Sequence, residues 1–296
     1  MKKEITEVDK KRGIYQVTTC DERWYAEPVK DRTTGLPAYK FYPSVTWITF
    51  FYHKPTELIK WIAARGYEEA EAVKQLAGEK GSKIHLAVEK LLSGEEFNSD
   101  TKVMNKSKEQ EEELTGEEYG ALVDFSNWFA ELQSNHKVKV IAVEKLIISK
   151  KYGYAGMVDI ILDIDEERWI IDLKTGQTQS KGWTLQLSAY KHAYLEAQIL
   201  EDKGKTDCKI ASLQVGYKRN KHKYKFTELE YRMDLFLAAK KIWEEEASTV
   251  EPLQIEYPLS LKLDFGKNNE DNNSKTNRKV GTEIRGRQRR REGSAV

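Results

Sequence analysis

Two short apolar runs, residues 157–162 and 169–173, constrain this chain more than any other part of its sequence. Their β-branched and aliphatic residues predict two buried strands. Each run nevertheless contains an aspartate, Asp159 in the first and Asp172 in the second. A buried carboxylate must be paired, hydrogen-bonded or bound to a metal ion, because its desolvation is costly. The two aspartates therefore predict a polar or metal site inside an apolar sheet.

A lysine follows the second aspartate two residues later. Side chains alternate along a strand, so Asp172 and Lys174 are expected on one face and their apolar neighbours on the other. Two carboxylates beside an ammonium suit phosphodiester hydrolysis, since the carboxylates hold a divalent ion and the ammonium orients water or stabilises developing charge. The alternative is a simple salt bridge between Asp172 and Lys174 at the strand end.

A helix is predicted after Gly182, because apolar residues recur there with helical spacing. These residues are Trp183, Leu187, Tyr190, Tyr194 and Ala197. Gln186 and Tyr190 lie one turn apart on or beside the apolar face. A glutamine there suits a functional site, although a buried glutamine bonded to the backbone explains it equally well.

Two further residues with ligand chemistry lie upstream. Glu144 is in an apolar strand predicted over residues 137–149, where it is either a metal-site carboxylate or a structural partner. The helical pattern that begins at Thr56 is predicted to be interrupted at Gly66 and again at Gly78. His85 lies at the edge of an apolar stripe on the next helix, which is predicted to start at Gly81. An isolated histidine in that position is more often a packing residue than a ligand.

Together these residues resemble the PD-(D/E)XK nucleases, specifically the RecB-like branch of DNA exonucleases. The matching elements are the strand glutamate Glu144, G-x-x-D at 156–159, D-x-K-T-G at 172–176, Q-x-x-x-Y at 186–190 and G-x-x-x-H at 81–85. Five elements in this order are a specific signal, although each alone is weak. Val158 stands where the family name has a proline, which is not a metal ligand.

The resemblance, which extends over residues 42–246, implies an α/β fold with a mixed central sheet flanked by helices. It implies that His85, Asp159 and Asp172 bind Mg²⁺ or Mn²⁺ and that Lys174 is the catalytic lysine. A histidine ligand would favour Mn²⁺, because imidazole suits transition metals better than hard cations. Three more motif residues are expected in the same catalytic site: Glu144, Gln186 and Tyr190.

The expected function is a divalent-metal-dependent DNA exonuclease that acts on single-stranded DNA or DNA ends in recombination, repair or replication. Residues 43–46 are similar to the start of single-domain members, which include phage exonucleases and a mitochondrial DNA-maintenance exonuclease. Two alternatives stay open, an endonuclease of the same fold and a non-catalytic DNA-binding module.

The expected partners are DNA and, beyond it, a separate helicase, a recombinase or a single-strand-binding protein. The run Gly204-Lys205-Thr206 is not a phosphate-binding loop, because Ile199 stands where the motif needs an earlier glycine. Any helicase is therefore expected to be another protein.

Composition narrows the class of protein. With 39% hydrophobic and 33% charged residues, the 296-residue chain is expected to be soluble and globular. No run approaches the ~18 apolar residues of a membrane span, so a cytoplasmic location is expected, in the host if the protein is phage-encoded. Two cysteines, Cys20 and Cys208, cannot supply the four-cysteine iron–sulfur cluster of some RecB relatives.

Three regions are predicted along the chain. Short strands and turns over 13–42 predict a β-rich cap at residues 1–42, followed by the nuclease domain at 43–265. Within the domain, residues 94–118 are predicted to be an exposed loop that ends in a capping box from Thr115 to Glu118. Residues 266–296 are predicted to be a disordered basic tail, since 267–296 contain nine Lys or Arg against four Asp or Glu.

A basic turn joins two predicted strands at 209–217 and 224–229. Its cations are Lys218, Arg219, Lys221 and Lys223, and Tyr217 and Tyr224 flank it. These residues are predicted to bind DNA phosphates and to stack on bases. The alternative is a charged sheet edge that is protected against aggregation.

Overall fold

The structure is a computed structural model that describes residues 4–19, 22–31, 33, 35–105, 107–200, 207–247 and 249–252. The chain divides into two compact units, residues 1–255 and 256–296. The second unit lies outside the described residues, and so does the tail predicted at 266–296.

The described chain is mixed α/β, as predicted. Its strands are β1 Glu4–Asp9, β2 Ile14–Thr18, β3 Arg23–Lys30, β4 Pro37–Pro43, β5 Lys102–Asn105, β6 Gln110–Glu113, β7 Val138–Ser149, β8 Tyr154–Ile164, β9 Glu167–Lys174, β10 Lys209–Val215 and β11 Tyr224–Glu228. Its helices are α1 Val45–Thr49, α2 Thr56–Arg65, α3 Tyr67–Leu92, α4 Gly116–Asn135, α5 Lys181–Leu200 and α6 Met233–Ala247.

The central sheet is mixed, which confirms that expectation. Five of the described strands form it in the order β11-β10-β9-β8-β7. β9 and β10 are parallel, whereas the other neighbours are antiparallel. Parallel neighbours need a crossover connection, and α5 supplies it. The helix that carries Gln186 and Tyr190 therefore packs across the sheet, in contact with β7, β8, β9 and β10.

Helices cover both faces of this sheet. Ile84 of α3 and Ile171 of β9 belong to one buried cluster, which also includes residues of α4. Leu187 of α5 and Ile170 of β9 belong to a second cluster, which includes α1 and α6. Consecutive residues of β9 thus enter opposite cores, as the alternation of strand side chains requires.

The N-terminus is β-rich, as predicted, but its sheet starts earlier than the sequence indicates. β1 to β4 form an antiparallel meander of four strands in the described residues. The sequence does not predict β1, because the run Glu-Ile-Thr-Glu-Val-Asp is mostly polar. The meander packs on the central sheet, where Tyr25 and Tyr42 share a buried cluster with Leu146 and Ile148.

The helix that carries His85 is longer than predicted. α3 runs unbroken from Tyr67 to Leu92, so the predicted interruption at Gly78 and helix start at Gly81 are wrong. The predicted break at Gly66 is confirmed, and this residue has φ 87°. A glycine inside a helix costs about 1 kcal/mol relative to alanine. Burial of residues such as Ile84 and Val88 offsets that cost.

Residues 94–118 are not simply the predicted exposed loop. They contain a hairpin, β5 paired with β6, that buries Val103 against the α3 side of the core. Sequence periodicity does not reveal it, because β6 reads Gln-Glu-Glu-Glu. The predicted capping box is confirmed, since the Thr115 hydroxyl accepts from the Glu118 N–H and the Glu118 carboxylate accepts from the Thr115 N–H.

Candidate metal centre

The predicted motifs meet in one cleft with a volume of about 530 Å³. β7, β8 and β9 form its floor, and α3 and α5 contribute side chains from the sides. The residues predicted for the catalytic and metal sites all line it: His85, Glu144, Asp159, Asp172, Lys174, Gln186 and Tyr190. Residues far apart in sequence thus share one polar site above an apolar sheet.

The strand register explains why three acidic residues come together. Val143 of β7 pairs with Ile160 of β8, and Ile160 pairs with Ile171 of β9. Extending this register by one residue places Glu144, Asp159 and Asp172 in the next row across the three strands.

The backbone ladder between β8 and β9 ends next to this row, at the pair Ile160 and Ile171. Beyond it, the N–H of Leu173 donates to Asp159 Oδ2 at 2.7 Å. A carboxylate thus replaces a backbone carbonyl as the acceptor, which holds Asp159 where the two strands separate.

Glu144 lies on β7 with a positive φ of 47°. A non-glycine residue in this left-handed region costs about 1–3 kcal/mol, and such strain is found mainly where the surrounding structure enforces it. Here the paired residues on either side, Val143 and Lys145, fix the strand. The local twist directs the Glu144 carboxylate into the cleft.

Within the described part of the chain, three residues form a group that could hold a metal ion: His85, Glu144 and Asp159. They are called the metal group below. Each offers one ligand atom, and these atoms lie within 4.8 Å of one another. One imidazole nitrogen and two carboxylate oxygens suit a divalent ion of the Mg²⁺ or Mn²⁺ type. Asp172, which the resemblance also implied as a ligand, lies outside this group of three.

Asp172 is buried next to that group and is held by two neighbours. Its Oδ2 lies 2.5 Å from the Lys174 ammonium, and its Oδ1 accepts from Gln186 Nε2 at 3.0 Å. The salt bridge between Asp172 and Lys174, which the sequence offered as an alternative to a metal site, is thus present beside the candidate metal group. Lys174 also lies 5.7 Å from the centre of the Trp183 ring, which limits its freedom.

The electrostatics of the group follow from burial and proximity. Burial raises the pKa of Asp172 to about 6, although Lys174 opposes that rise. Burial also disfavours the charged form of Asp159, yet His85, Lys174 and the Leu173 N–H together lower the pKa of Asp159. Burial opposes protonation of His85, but the Asp159 carboxylate, 3.6 Å from Nδ1, raises the pKa of His85. Negative charge therefore concentrates on Asp159, beside a cationic neighbour.

Gln186 links the site to α5 through side chains rather than through the backbone. Its Nε2 donates to both Asp172 Oδ1 and the Tyr190 hydroxyl, each at 3.0 Å, and its Oε1 accepts from Lys174 at 3.4 Å. Burial raises the pKa of Tyr190 well above its ordinary value, so its hydroxyl stays neutral. The amide thereby orients both the carboxylate and the ammonium.

Gly156 explains the glycine of the G-x-x-D element. A Cβ at this position would lie 2.5 Å from Cε1 of Tyr190. The Tyr190 ring therefore packs directly on the β8 backbone, three residues before Asp159. Only glycine allows this contact without displacing the ring.

Sequence reasoning missed the contribution of the N-terminal sheet. Gln16, Arg23 and Tyr25 line the same cleft as the metal group. Gln16 Nε2 donates to the Tyr25 hydroxyl at 3.0 Å, and burial raises the pKa of Tyr25 to about 12. The sequence indicates these strands through the alternation of polar and apolar residues. That alternation does not tell which part of the molecule the polar side chains face.

The basic turn lies outside the cleft lining. Lys218 pairs with Glu117 at 3.1 Å, the Arg219 guanidinium donates to the Thr178 hydroxyl at 3.3 Å, and Tyr224 donates to Glu131. Tyr217 faces Lys225, whose ammonium lies 5.9 Å from its ring. The side chains of Lys221 and Lys223 are exposed. The turn adjoins the loop after β9, because the Lys218 N–H donates to Gln177.

None of the helices in the described ranges is both long and apolar enough to cross a membrane.

Comparisons with known proteins identify the family. The sequence profile described as the PD-(D/E)XK nuclease superfamily matches residues 56–265. No curated protein matches this chain significantly. A solved structure titled "Crystal structure of SSO0001" is 14% identical, with a TM-score of 0.26, and covers 44% of this chain. The match spans 59% of the length of that solved chain. Since the profile covers most of the chain and the site above has the carboxylates and lysine that such enzymes use with divalent metal ions, this protein belongs to the PD-(D/E)XK nuclease superfamily.

Proposed function

We propose that this nuclease is a DNA exonuclease that acts on single strands or on DNA ends. The observation that carries the proposal is the metal group of His85, Glu144 and Asp159 beside the Asp172–Lys174 pair, inside a cleft of about 530 Å³. Clefts of that volume accommodate ligands the size of a nucleotide or two. A single strand or a strand end fits a cleft of this size.

The roles of the residues follow from their chemistry. A divalent ion held by His85, Glu144 and Asp159 would polarise the scissile phosphate and acidify a bound water. Lys174 supplies an ammonium with three donors, which can hold the attacking water or a phosphate oxygen. Asp172 keeps that ammonium in place at 2.5 Å, and it is a further proposed ligand because its charge interacts with those of Asp159 and His85.

Gln186 and Tyr190 have positioning roles. The Gln186 amide donates to Asp172 and accepts from Lys174, so it sets the relative orientation of carboxylate and ammonium. Tyr190 fixes the amide through its hydroxyl. Preorganised groups of this kind stabilise developing charge without reorganising during the reaction.

We propose Mn²⁺ as the preferred ion, with Mg²⁺ as the alternative. The argument is the nitrogen of His85, since Mg²⁺ favours oxygen ligands and retained waters.

The proposed setting is DNA recombination, repair or replication in the cytoplasm. DNA is the proposed partner, with a separate helicase, recombinase or single-strand-binding protein as further candidates. The supporting features are the basic turn at 218–223 and the basic composition of residues 267–296.

The test compares end-labelled linear DNA with closed circular DNA, each single- and double-stranded, in Mg²⁺, Mn²⁺ or chelator. Degradation of linear single strands with the circle spared supports the proposal. Rapid cutting of the circle would instead identify an endonuclease of the same fold. Binding without any cleavage, in every metal condition, would identify a non-catalytic DNA-binding module.

Two variants show whether the described site is responsible for cleavage. Asp172→Asn should retain the fold and lose cleavage by orders of magnitude, because the Lys174 ammonium loses its charged partner. Asp207→Asn, at an exposed carboxylate before β10, is the matched control and should cleave like the unaltered protein. A near-normal rate for Asp172→Asn would contradict the assignment.

A further inference from the structure

The N-terminal sheet forms one wall of the nuclease cleft. Alternate residues of β1, Glu4, Thr6 and Val8, line the cleft, and so do Gln16 of β2 and Arg23 and Tyr25 of β3. The register places Thr6 beside Gln16 and Gln16 beside Tyr25, so these three side chains form a row across the sheet. One face of the meander is therefore turned towards the metal group.

The N-terminal sheet packs firmly against the central sheet. Tyr25 lies in a buried cluster with Leu146 of β7 and Ala155 of β8. Ser44, at the end of the meander, forms a bridge with Ala155, and its N–H donates to the Arg23 carbonyl at 2.8 Å. The backbone of Arg23 is thus fixed relative to β8, the strand of Asp159.

Arg23 differs from the other arginines of the described residues. Four of these pair with a carboxylate, namely Arg12 with Glu27, Arg65 with Glu69, Arg168 with Asp163 and Arg232 with Asp234. A fifth, Arg219, donates to a threonine hydroxyl. The Arg23 side chain is exposed in the cleft, and the described residues give it neither a carboxylate nor a hydroxyl partner.

The charge balance of the cleft makes Arg23 significant. Among the described residues that line the cleft, Arg23 is the one arginine and Lys174 the one lysine. The carboxylates of Glu4, Glu89 and the metal site oppose these two positive charges. Lys174 is already paired with Asp172 at 2.5 Å. Of these two side chains, Arg23 is therefore the one whose charge is not balanced by a carboxylate partner among the described residues, so its guanidinium is available to a polyanionic substrate.

We infer that the N-terminal sheet is part of the substrate site and that Arg23 binds a backbone phosphate of the DNA strand whose neighbouring phosphate is hydrolysed at the metal group. A guanidinium offers two parallel N–H donors that match phosphate oxygens. The inference rests on the proposed nuclease function and adds a strand-binding residue outside the sequence motifs of the family.

The first experiment measures steady-state cleavage of a single-stranded oligonucleotide in Mn²⁺. Arg23→Gln should raise KM about tenfold, which corresponds to the lower end of the free energy of a hydrogen bond to a charged group. The value of kcat should change little, because a phosphate that does not react is bound equally in the ground state and the transition state. The KM of Arg23→Lys should lie between those of the unaltered protein and Arg23→Gln. Arg12→Gln, in the turn between β1 and β2 and paired with Glu27, is the matched control, because Arg12 is not among the residues that line the cleft, and it should leave KM unchanged.

The second experiment locates the phosphate. A neutral methylphosphonate linkage is placed at one position at a time in the oligonucleotide, and KM is measured for the unaltered protein and for Arg23→Gln. At one position the neutral linkage should raise KM for the unaltered protein but not for Arg23→Gln. By the logic of a double-mutant cycle, that position is the phosphate that Arg23 contacts. Additive effects at every position would overturn the assignment of Arg23.

The outcomes separate this inference from the function on which it rests. If the unaltered protein cleaves no DNA in any metal, the proposed function fails. If it cleaves normally and Arg23→Gln keeps the same KM, only the role of Arg23 fails. Calorimetric Mn²⁺ titration of Arg23→Gln should give the same affinity as the unaltered protein, and a weakened affinity would reassign Arg23 to the metal site.

Discussion

At the scale of single residues, the site depends on carboxylates that are buried but never isolated. Asp172 is held by an ammonium and an amide, and Asp159 by a backbone N–H and an imidazole neighbour. Each partner offsets part of the desolvation cost that a bare carboxylate would carry. This arrangement allows the chain to keep clustered negative charge inside its folded structure.

His85 is predicted to bind metal rather than to support packing. Its side chain lines the cleft with Nδ1 3.6 Å from the Asp159 carboxylate, so His85→Ala deletes the nitrogen ligand of the group. Mn²⁺ affinity should fall at least about tenfold, with a small change in melting temperature. Calorimetric titration and thermal unfolding measure the two effects, with His53→Ala at an exposed position as control. Unchanged affinity with lowered stability would favour the packing interpretation.

Gly156 is predicted to be intolerant of even a methyl group. In Gly156→Ala the new Cβ would meet the Tyr190 ring at 2.5 Å, and the buried ring cannot easily move. We expect a loss of about 1–3 kcal/mol in the free energy of unfolding, as for other overpacked sites, together with reduced cleavage.

Denaturant unfolding of Gly156→Ala and of Gly120→Ala makes the comparison. Gly120 lies in α4, where an added methyl group would meet no atom within 4 Å, so its replacement should be neutral or stabilising by up to about 1 kcal/mol. Equal stability of the two variants would mean that Tyr190 adjusts without cost.

At the scale of elements, the hairpin of β10 and β11 presents cations beside the loop that leaves the cleft. Lys218 is already paired with Glu117, while Lys221 and Lys223 are exposed. The double variant Lys221→Gln and Lys223→Asn should raise KM for DNA without lowering kcat, and it should reduce the salt dependence of binding. Asparagine is chosen at Lys223 because its φ is 59°, which asparagine tolerates.

The control for this hairpin is Lys10→Gln with Lys11→Gln, a pair of exposed lysines in the turn between β1 and β2. Binding titrations at several salt concentrations compare the two pairs. If both pairs change DNA binding equally, the basic turn acts only through general charge and is a protected sheet edge.

Secondary structure at this scale was predictable where the pattern was strong. β8 and β9 follow from their apolar runs, α5 follows from the helical spacing of its apolar residues, and the capping box of α4 follows from local sequence. β1, β5 and β6 were missed because short polar strands carry little periodic signal, and their pairing partners decide their structure. The break expected at Gly78 does not occur, because packing of α3 overrides the local propensity of glycine.

At the scale of the whole molecule, the basic segment at 267–296 lies outside the described residues, and its role is a prediction from composition. Its removal should raise the apparent KM at moderate salt and leave kcat nearly unchanged, because only uniform binding is lost. The salt slope should shrink by roughly 0.7 for each lost phosphate contact on a single strand. The chain that retains residues 267–296, at the same salt concentrations, is the control. Unaltered binding after truncation would mean that this segment does not contact DNA.

The chemistry of the site was readable from the chain alone, whereas its assembly was not. Aspartates inside apolar strands, the lysine two residues later and the glycine before Asp159 are local patterns, and strand alternation gives them direction without knowledge of the fold. The choice of Glu144 as the carboxylate grouped with His85 and Asp159 depends on the register of three strands and on a positive φ. The entry of Arg23 into the cleft depends on how a separate sheet packs. Contacts between distant segments arise from packing and pairing energies, which no short window of sequence contains.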